Sequence, residues 1–351
     1  MTNMALIPSI TALLFLATAG AQELADNDSP VPVVSECQYP SFEDSKCTNC
    51  ERREDQIWLI SSRDVPCLSL DEPLDAKKLV ENLKYWRYSI QDSKWNKSAL
   101  ENLEADDTQH MQSVIWVHGD RMEACEAFDA GRKIYRELIR CTTDKTPIRF
   151  IILSWPSAKT LTRPVADARL KASRTLSAGI HLAGLLKIIP QEDRVSLIGF
   201  SFGVRVIATA LHLLGGGDVS GAAFTGAVAD QQKYHVVFFA SAIDCDWLQP
   251  GHKFGKAIGE MESLLLLNNY CDRILKHYGK LYCHCARRGP EALGYTGLTI
   301  TGGPTADQDR IRQFNSSGFV GKQHAWRPYI YSPTLMSMIR RETLGEMGVS
   351  P

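Results

Sequence analysis

Net charge is the first thing this chain does without. Its 39 Lys and Arg residues against 40 Asp and Glu leave −1 at pH 7. No long-range field therefore gathers nucleic acid or anionic lipid, and small neutral or weakly charged molecules are the expected partners. Internal repeats, collagen-like tracts and coiled-coil heptads are also absent, which sets solenoids and fibres aside. At 351 residues there is room for one large core or two small ones.

A bilayer-length hydrophobic run is missing too. The uncharged stretch at residues 4–21 is rich in Leu, Ala, Ile and Phe but short for a span. No Lys or Arg precedes it, and no cysteine directly follows it to carry a lipid. Ala19-Gly20-Ala21 has the small-x-small form that a signal peptidase accepts, so residues 1–21 read as a signal peptide cut after Ala21. The mature chain is then expected to be exported, periplasmic or secreted, without a transmembrane segment. A membrane anchor formed by the same stretch is the alternative.

All ten cysteines lie beyond residue 21, an even number for an oxidising compartment. Cys37, Cys47, Cys50 and Cys67 crowd the start of the mature chain, where oxidation competes with thiolate ligation and disulfides are the expected state. Zinc is the alternative there, since Cys47-x-x-Cys50 has ligand spacing, although no second C-x-x-C accompanies it. Cys125, Cys141, Cys245, Cys271, Cys283 and Cys285 are spread further along, as bridges or as small buried apolar side chains. Residues 22–55 are polar, hold Pro30, Pro32 and Pro40, and show no sustained period. They read as an extension that cysteine staples would hold in shape.

From residue 56 to 351 the pattern changes. Strand signals near 57–62, 84–89, 113–118, 148–154, 194–199, 235–241 and 262–268 alternate with helix signals near 123–140, 165–189, 201–214 and 272–279. In the second helix Ala168, Ala172, Leu176, Ile180 and Ala183 recur at three- and four-residue spacing and mark a buried face. Short apolar strands alternating with such helices imply an α/β fold, a mostly parallel sheet covered on both sides. Residues 286–320 are loop-rich; they are expected to include the final strand and are where a lid or substrate-shaping insertion would sit.

One motif stands out. Gly199-Phe200-Ser201-Phe202-Gly203 separates the apolar run Val195, Leu197, Ile198 from a helical stretch that stops at Gly215-Gly216-Gly217. The spacing has a steric cause, because a serine held in a strained strand-to-helix turn leaves no room for flanking side chains. Ser201 would project above the sheet as a nucleophile, over a helix N-terminus that favours negative charge. Upstream, the strand Ser113-Val114-Ile115-Trp116-Val117 ends in His118-Gly119-Asp120, and Phe150-Ile151-Ile152-Leu153-Ser154-Trp155-Pro156-Ser157 is stopped by proline. Late in the chain comes Gly321-Lys322-Gln323-His324-Ala325-Trp326.

These residues resemble the α/β-hydrolase superfamily. With Trp58-Leu59-Ile60-Ser61-Ser62-Arg63 added, their order is similar to that of an uncharacterised bacterial family of esterase-like serine hydrolases, over roughly residues 57–331. The chain departs from the common pattern at Phe200, where His is frequent, and at Asp120, where an aromatic or glycine is usual.

The resemblance implies a chain order of serine, acid, histidine. It makes Ser201 the nucleophile and His324 the base. His277 is expected within a helix and His284 between two cysteines, neither in the loop position a base needs. Asp272, past the strand Leu264-Leu265-Leu266-Leu267, is the preferred acid, and Asp244 and Asp246 past the preceding strand are the alternatives. The backbone N–H groups of Phe202 and Asp120 would hold the oxyanion, while His118 buttresses its loop. The expected substrate is a small-molecule ester, and this chemistry requires no metal or organic cofactor. A peptidase or an acyltransferase would use the same triad. The rival of a different class is a hydrolase fold without catalysis, serving as a binding or envelope-associated module, which the cysteine-bearing extension and Asp120 favour.

The exported protein is expected to begin at Gln22 and to carry few free thiols among Cys37, Cys47, Cys50 and Cys67. N-terminal sequencing and thiol counting under denaturing conditions check both. Four alkylatable thiols with bound zinc would replace the disulfides by a metal site.

Overall fold

Strings of apolar residues build the centre of the molecule: β1 (Gln56–Ser61), β4 (Gln112–Val117), β5 (Ile148–Ser154), β6 (Val195–Phe200), β7 (Tyr234–Phe239) and β8 (Met261–Asn268). Every residue of β1, β5 and β6 is buried. Successive side chains on a strand point to opposite faces, so burial at every position requires cover on both. The computed structural model describes residues 51–65, 73–105, 111–140, 142, 144–189, 194–224, 232–282, 290–299 and 309–345, which fall within the unit Glu43–Pro351. The proposed signal peptide, nearly all of the polar extension, and Cys37, Cys47, Cys50, Cys67, Cys141, Cys283, Cys285 and His284 lie outside the described residues.

The sheet has nine strands in the order β3-β2-β1-β5-β4-β6-β7-β8-β9, with β2 (Lys84–Ser89), β3 (Lys94–Ser98) and β9 (Ile311–Asn315) completing it. It is parallel from β1 to β9, with β2 and β3 added antiparallel at one edge. Two groups of helices clothe it. α4 (Pro164–Ile188) packs on α5 (Phe202–Leu214) and on α1 (Ala76–Glu81), while α3 (Ala124–Ile139) packs on β5 and on the C-terminal helix Pro333–Leu344. α2 (Leu100–Ala105) precedes β4. This is the mostly parallel, doubly covered α/β sheet that the sequence pattern implies, and it fits the α/β-hydrolase fold that the resemblance implies.

Several elements escape the strand and helix signals read from sequence, β3, α1, α2 and the C-terminal helix among them. β3 is Lys-Trp-Asn-Lys-Ser, an exposed edge whose lysines discourage further pairing and mask the strand pattern. α1 and α2, six residues each, are shorter than two turns and too short for a periodic signal. The C-terminal helix does carry one: the Ser332 hydroxyl caps it and Pro333 opens it. The expected helix near 272–279 is instead a tight turn at Leu275–His277 leading into a short helix at Tyr278–Tyr282. Among the described residues no helix is long and apolar enough to cross a membrane.

At the junction of β4 and β6 the chain changes direction. From β4 it proceeds by α3 to β5, on the β1 side, and from β6 by α5 to β7 on the other. The loops leaving these neighbours diverge, and the crevice between them is where α/β sheets bind ligands. α5 enters that crevice closely, for a Cβ on Gly203 would sit 2.1 Å from the Val117 carbonyl oxygen. Gly203→Ala should therefore destabilise the fold by about 3 kcal/mol or more, because the neighbour is backbone and cannot swing away. Urea unfolding of the variant checks this, and a change below about 1 kcal/mol would show that the helix can shift to admit the methyl group.

Candidate active site

Ser201 lies between β6 and α5 with φ 53° and ψ −118°, a conformation that costs a non-glycine residue on the order of 1–3 kcal/mol. Backbone hydrogen bonds hold it there: the Ser201 N–H donates to the Phe239 carbonyl at 3.2 Å, and its carbonyl accepts from Val204 at 3.1 Å and Ala242 at 3.3 Å. The turn lifts Oγ out of the sheet toward the His324 Nε2 at 2.9 Å. Nδ1 of the same ring lies 2.7 Å from the Asp272 Oδ2. A carboxylate accepts, so Nδ1 carries the proton and Nε2 is free to take one from the serine.

Asp272 is wholly buried four residues past the end of β8. Its second oxygen accepts the N–H groups of Ile274 at 2.9 Å and Leu275 at 3.0 Å. The same carboxylate that orients His324 thus caps the turn after it, which fixes its rotamer. His324 reaches it from the loop beyond β9 and the short helix Ser317–Val320. Asn269 ties the two loops together, donating from Nδ2 to the Gly321 carbonyl at 2.9 Å. Asp244 and Asp246 are engaged elsewhere: the Tyr278 hydroxyl donates to Asp244 at 2.7 Å, and Asp246 lies 3.2 Å from His252. His277 is exposed in its turn.

The loop after β4 closes the other side. A Cβ on Gly119 would stand 3.0 Å from the Ser201 Cβ and 2.9 Å from the Phe200 ring, so only glycine lets this backbone approach the serine. Phe202, the first residue of α5, offers an N–H with no place in the helix ladder. His118 is fully buried. The Trp155 N–H donates to its Nε2 at 3.2 Å, which leaves Nδ1–H to donate to the Gly119 carbonyl at 2.9 Å. Burial, and after it the Arg63 charge, push the imidazole down to about 3, so it stays neutral near pH 7. Across a trans peptide the Asp120 N–H points opposite to the carbonyl that His118 holds.

The Asp120 side chain has the reverse environment. Its Oδ1 is buried with no hydrogen-bond partner among the described residues, and the Arg121 guanidinium approaches Oδ2 only to 3.9 Å. Burial pushes its carboxyl up to about 6, against the partial offset of the Arg121 backbone N–H and the Lys171 and Arg121 charges and with a small addition from the charge of Asp167. Sequence reasoning missed the groups that hold this loop, Arg63, Ser154 and Ser157, although it had singled out the segments that contain them.

Among the described residues Cys125, Cys245 and Cys271 are free thiols, and no cluster of His, Cys, Asp and Glu is arranged to hold a metal ion. No family model and no curated protein matches the chain. Among solved structures it is similar to an acyl-protein thioesterase 2 from Zea mays, at 14% identity over 69% of this chain and 96% of that one, with a TM-score of 0.37.

Asp120 gives a pH test. Its folded value of about 6 lies above the ordinary 3.8, so the folded state binds this proton more tightly than the unfolded chain does. The contribution to stability is complete below about pH 4 and is lost as pH rises through about 6. Asp120→Asn should therefore stabilise the protein at pH 8 by on the order of 1 kcal/mol and much less at pH 4. Unfolding at the two pH values checks the sign, and an equal effect at both would mean that the carboxylate is balanced in the fold.

Proposed function

We propose that this protein is a serine hydrolase that cleaves carboxylic esters through an acyl-enzyme intermediate. The observation that carries this reading is the hydrogen-bonded chain from Ser201 to His324 to Asp272, at 2.9 and 2.7 Å, with the serine on a strained strand-to-helix turn. A serine hydroxyl is a weak nucleophile until a neutral imidazole can take its proton, and the imidazole needs an anion to keep the required tautomer.

In the proposed cycle the Ser201 Oγ bonds to the ester carbonyl carbon as its proton passes to the His324 Nε2. The carbonyl electrons move onto oxygen, where the N–H groups of Phe202 and Asp120 receive them, each worth on the order of 3 kcal/mol. Collapse of this adduct breaks the bond to the alcohol oxygen, which leaves with the proton from Nε2. Water then attacks the acyl-serine with the same base, releasing the acid and restoring the serine. Asp272 orients the ring and steadies the imidazolium at both steps. Export by residues 1–21 belongs to the same proposal and rests on the sequence.

Ser201→Ala is expected to abolish hydrolysis of short p-nitrophenyl esters and labelling by a fluorophosphonate probe, with a melting temperature close to wild type. Asp272→Asn should lower kcat by about 10⁴-fold, whereas Asp244→Asn and Asp246→Asn cost far less. Steady-state kinetics on the four variants check this. Substantial turnover in Ser201→Ala would sink the nucleophile, and the reverse ranking of the acids would move that role to Asp244 or Asp246.

A further inference from the structure

Two segments that stand out in sequence, Ser61-Ser62-Arg63 and Ser154-Trp155-Pro156-Ser157, contribute no group to the proton chain. They converge on the back of the loop from His118 to Met122. Arg63 Nε donates to the Ser154 Oγ at 2.7 Å, and one Nη2 donates to the Met122 carbonyl at 2.8 Å while lying 3.4 Å from the His118 Nε2. The Ser157 hydroxyl donates to the same Met122 carbonyl at 2.9 Å, and the Met122 and Arg121 N–H groups donate back to Ser157 at 3.3 and 2.9 Å. The Trp155 indole donates to the His118 carbonyl at 2.8 Å and stacks on its ring at 11°. Arg121 meanwhile sits at φ 55°, a left-handed turn that a side-chain-bearing residue keeps only when its neighbours hold it.

We propose that Arg63 is a positioning residue for ester cleavage: its planar guanidinium spans the ends of β1, β5 and β4 and holds the oxyanion loop against Ser201. This rests on the serine-hydrolase reading above. An oxyanion donor acts only when it lies within a few tenths of an ångström of the place where charge develops. The loop has no helix or strand of its own to fix it between β4 and α3, so the clamp supplies that rigidity. Lysine cannot replace the fork, because a single ammonium cannot reach Ser154 and Met122 in the two directions that one guanidinium serves.

The test uses the full chain with a p-nitrophenyl ester. Arg63→Ala should lower kcat by about 100-fold, the range for a lost oxyanion donor, with KM within threefold of wild type. Its affinity for a trifluoromethyl ketone, which binds as an oxyanion adduct, should fall by a similar factor. Ethylguanidinium at tens of millimolar should restore at least tenfold of the lost kcat where ethylammonium does not, and Arg63→Lys should remain impaired. A wild-type kcat in Arg63→Ala, a loss confined to KM, or a loss that ethylguanidinium leaves unchanged would overturn the proposal. If Arg63→Ala is too unstable to assay, Ser157→Ala decides: a fall in kcat of about tenfold with KM kept supports the clamp, and unchanged kcat overturns it. Failure of the underlying reading shows separately, as wild-type protein without esterase turnover or fluorophosphonate labelling.

Discussion

The strained turn at Ser201 is the constraint around which the rest of the molecule is arranged. A backbone at φ 53° and ψ −118° relaxes unless its surroundings over-determine it, and here they do. β7 accepts its N–H, α5 begins one residue later, and Gly203 presses that helix against the end of β4. Those contacts exist because β4 and β6 are neighbours whose loops part in opposite directions. Strand order, helix placement and the position of Oγ are therefore one geometric fact. A larger residue at position 203 would disturb all three.

Two aspartates illustrate how the fold spends its hydrogen-bond donors. Asp272 is buried, yet its oxygens meet two backbone N–H groups and the His324 ring, so its charge is matched on every side that the protein covers. Asp120 is also largely covered, but one oxygen has no partner among the described residues and the nearest guanidinium stands 3.9 Å away. For Asp120 burial outweighs the one backbone donor, from Arg121, and favours protonation of the carboxyl. The same residue type thus holds a histidine and a turn after β8 and is a proton-sensitive group after β4.

How much of this was legible in the sequence follows from the range of each interaction. The parallel sheet was readable because burial on both faces demands uninterrupted apolar runs, as in Phe150-Ile151-Ile152-Leu153. The elbow was readable because its sterics act within five residues. Ser201, Asp272 and His324 could be nominated through resemblance and chain order, and the fold brings the three within hydrogen-bonding distance of one another. The contacts of Arg63 were not legible: it meets Ser154 across 91 residues, and no local pattern announces such a meeting. β3 stayed hidden for a different reason, since an edge strand is made safe by the very lysines that erase its alternation.

Phe200 shows that a departure from the familiar motif can still be part of a coherent site. Its ring lies 5.5 Å from the His324 imidazole and 5.4 Å from Phe239, which in turn lies 4.9 Å from Tyr329. His324 is therefore backed by an aromatic row instead of a second titratable ring. Phe200 thus lays an apolar ring beside the imidazole. A histidine at 200 would bring another proton acceptor beside the elbow. The aromatic choice leaves His324 as the imidazole that meets Ser201, and the same ring packs closely on Gly119.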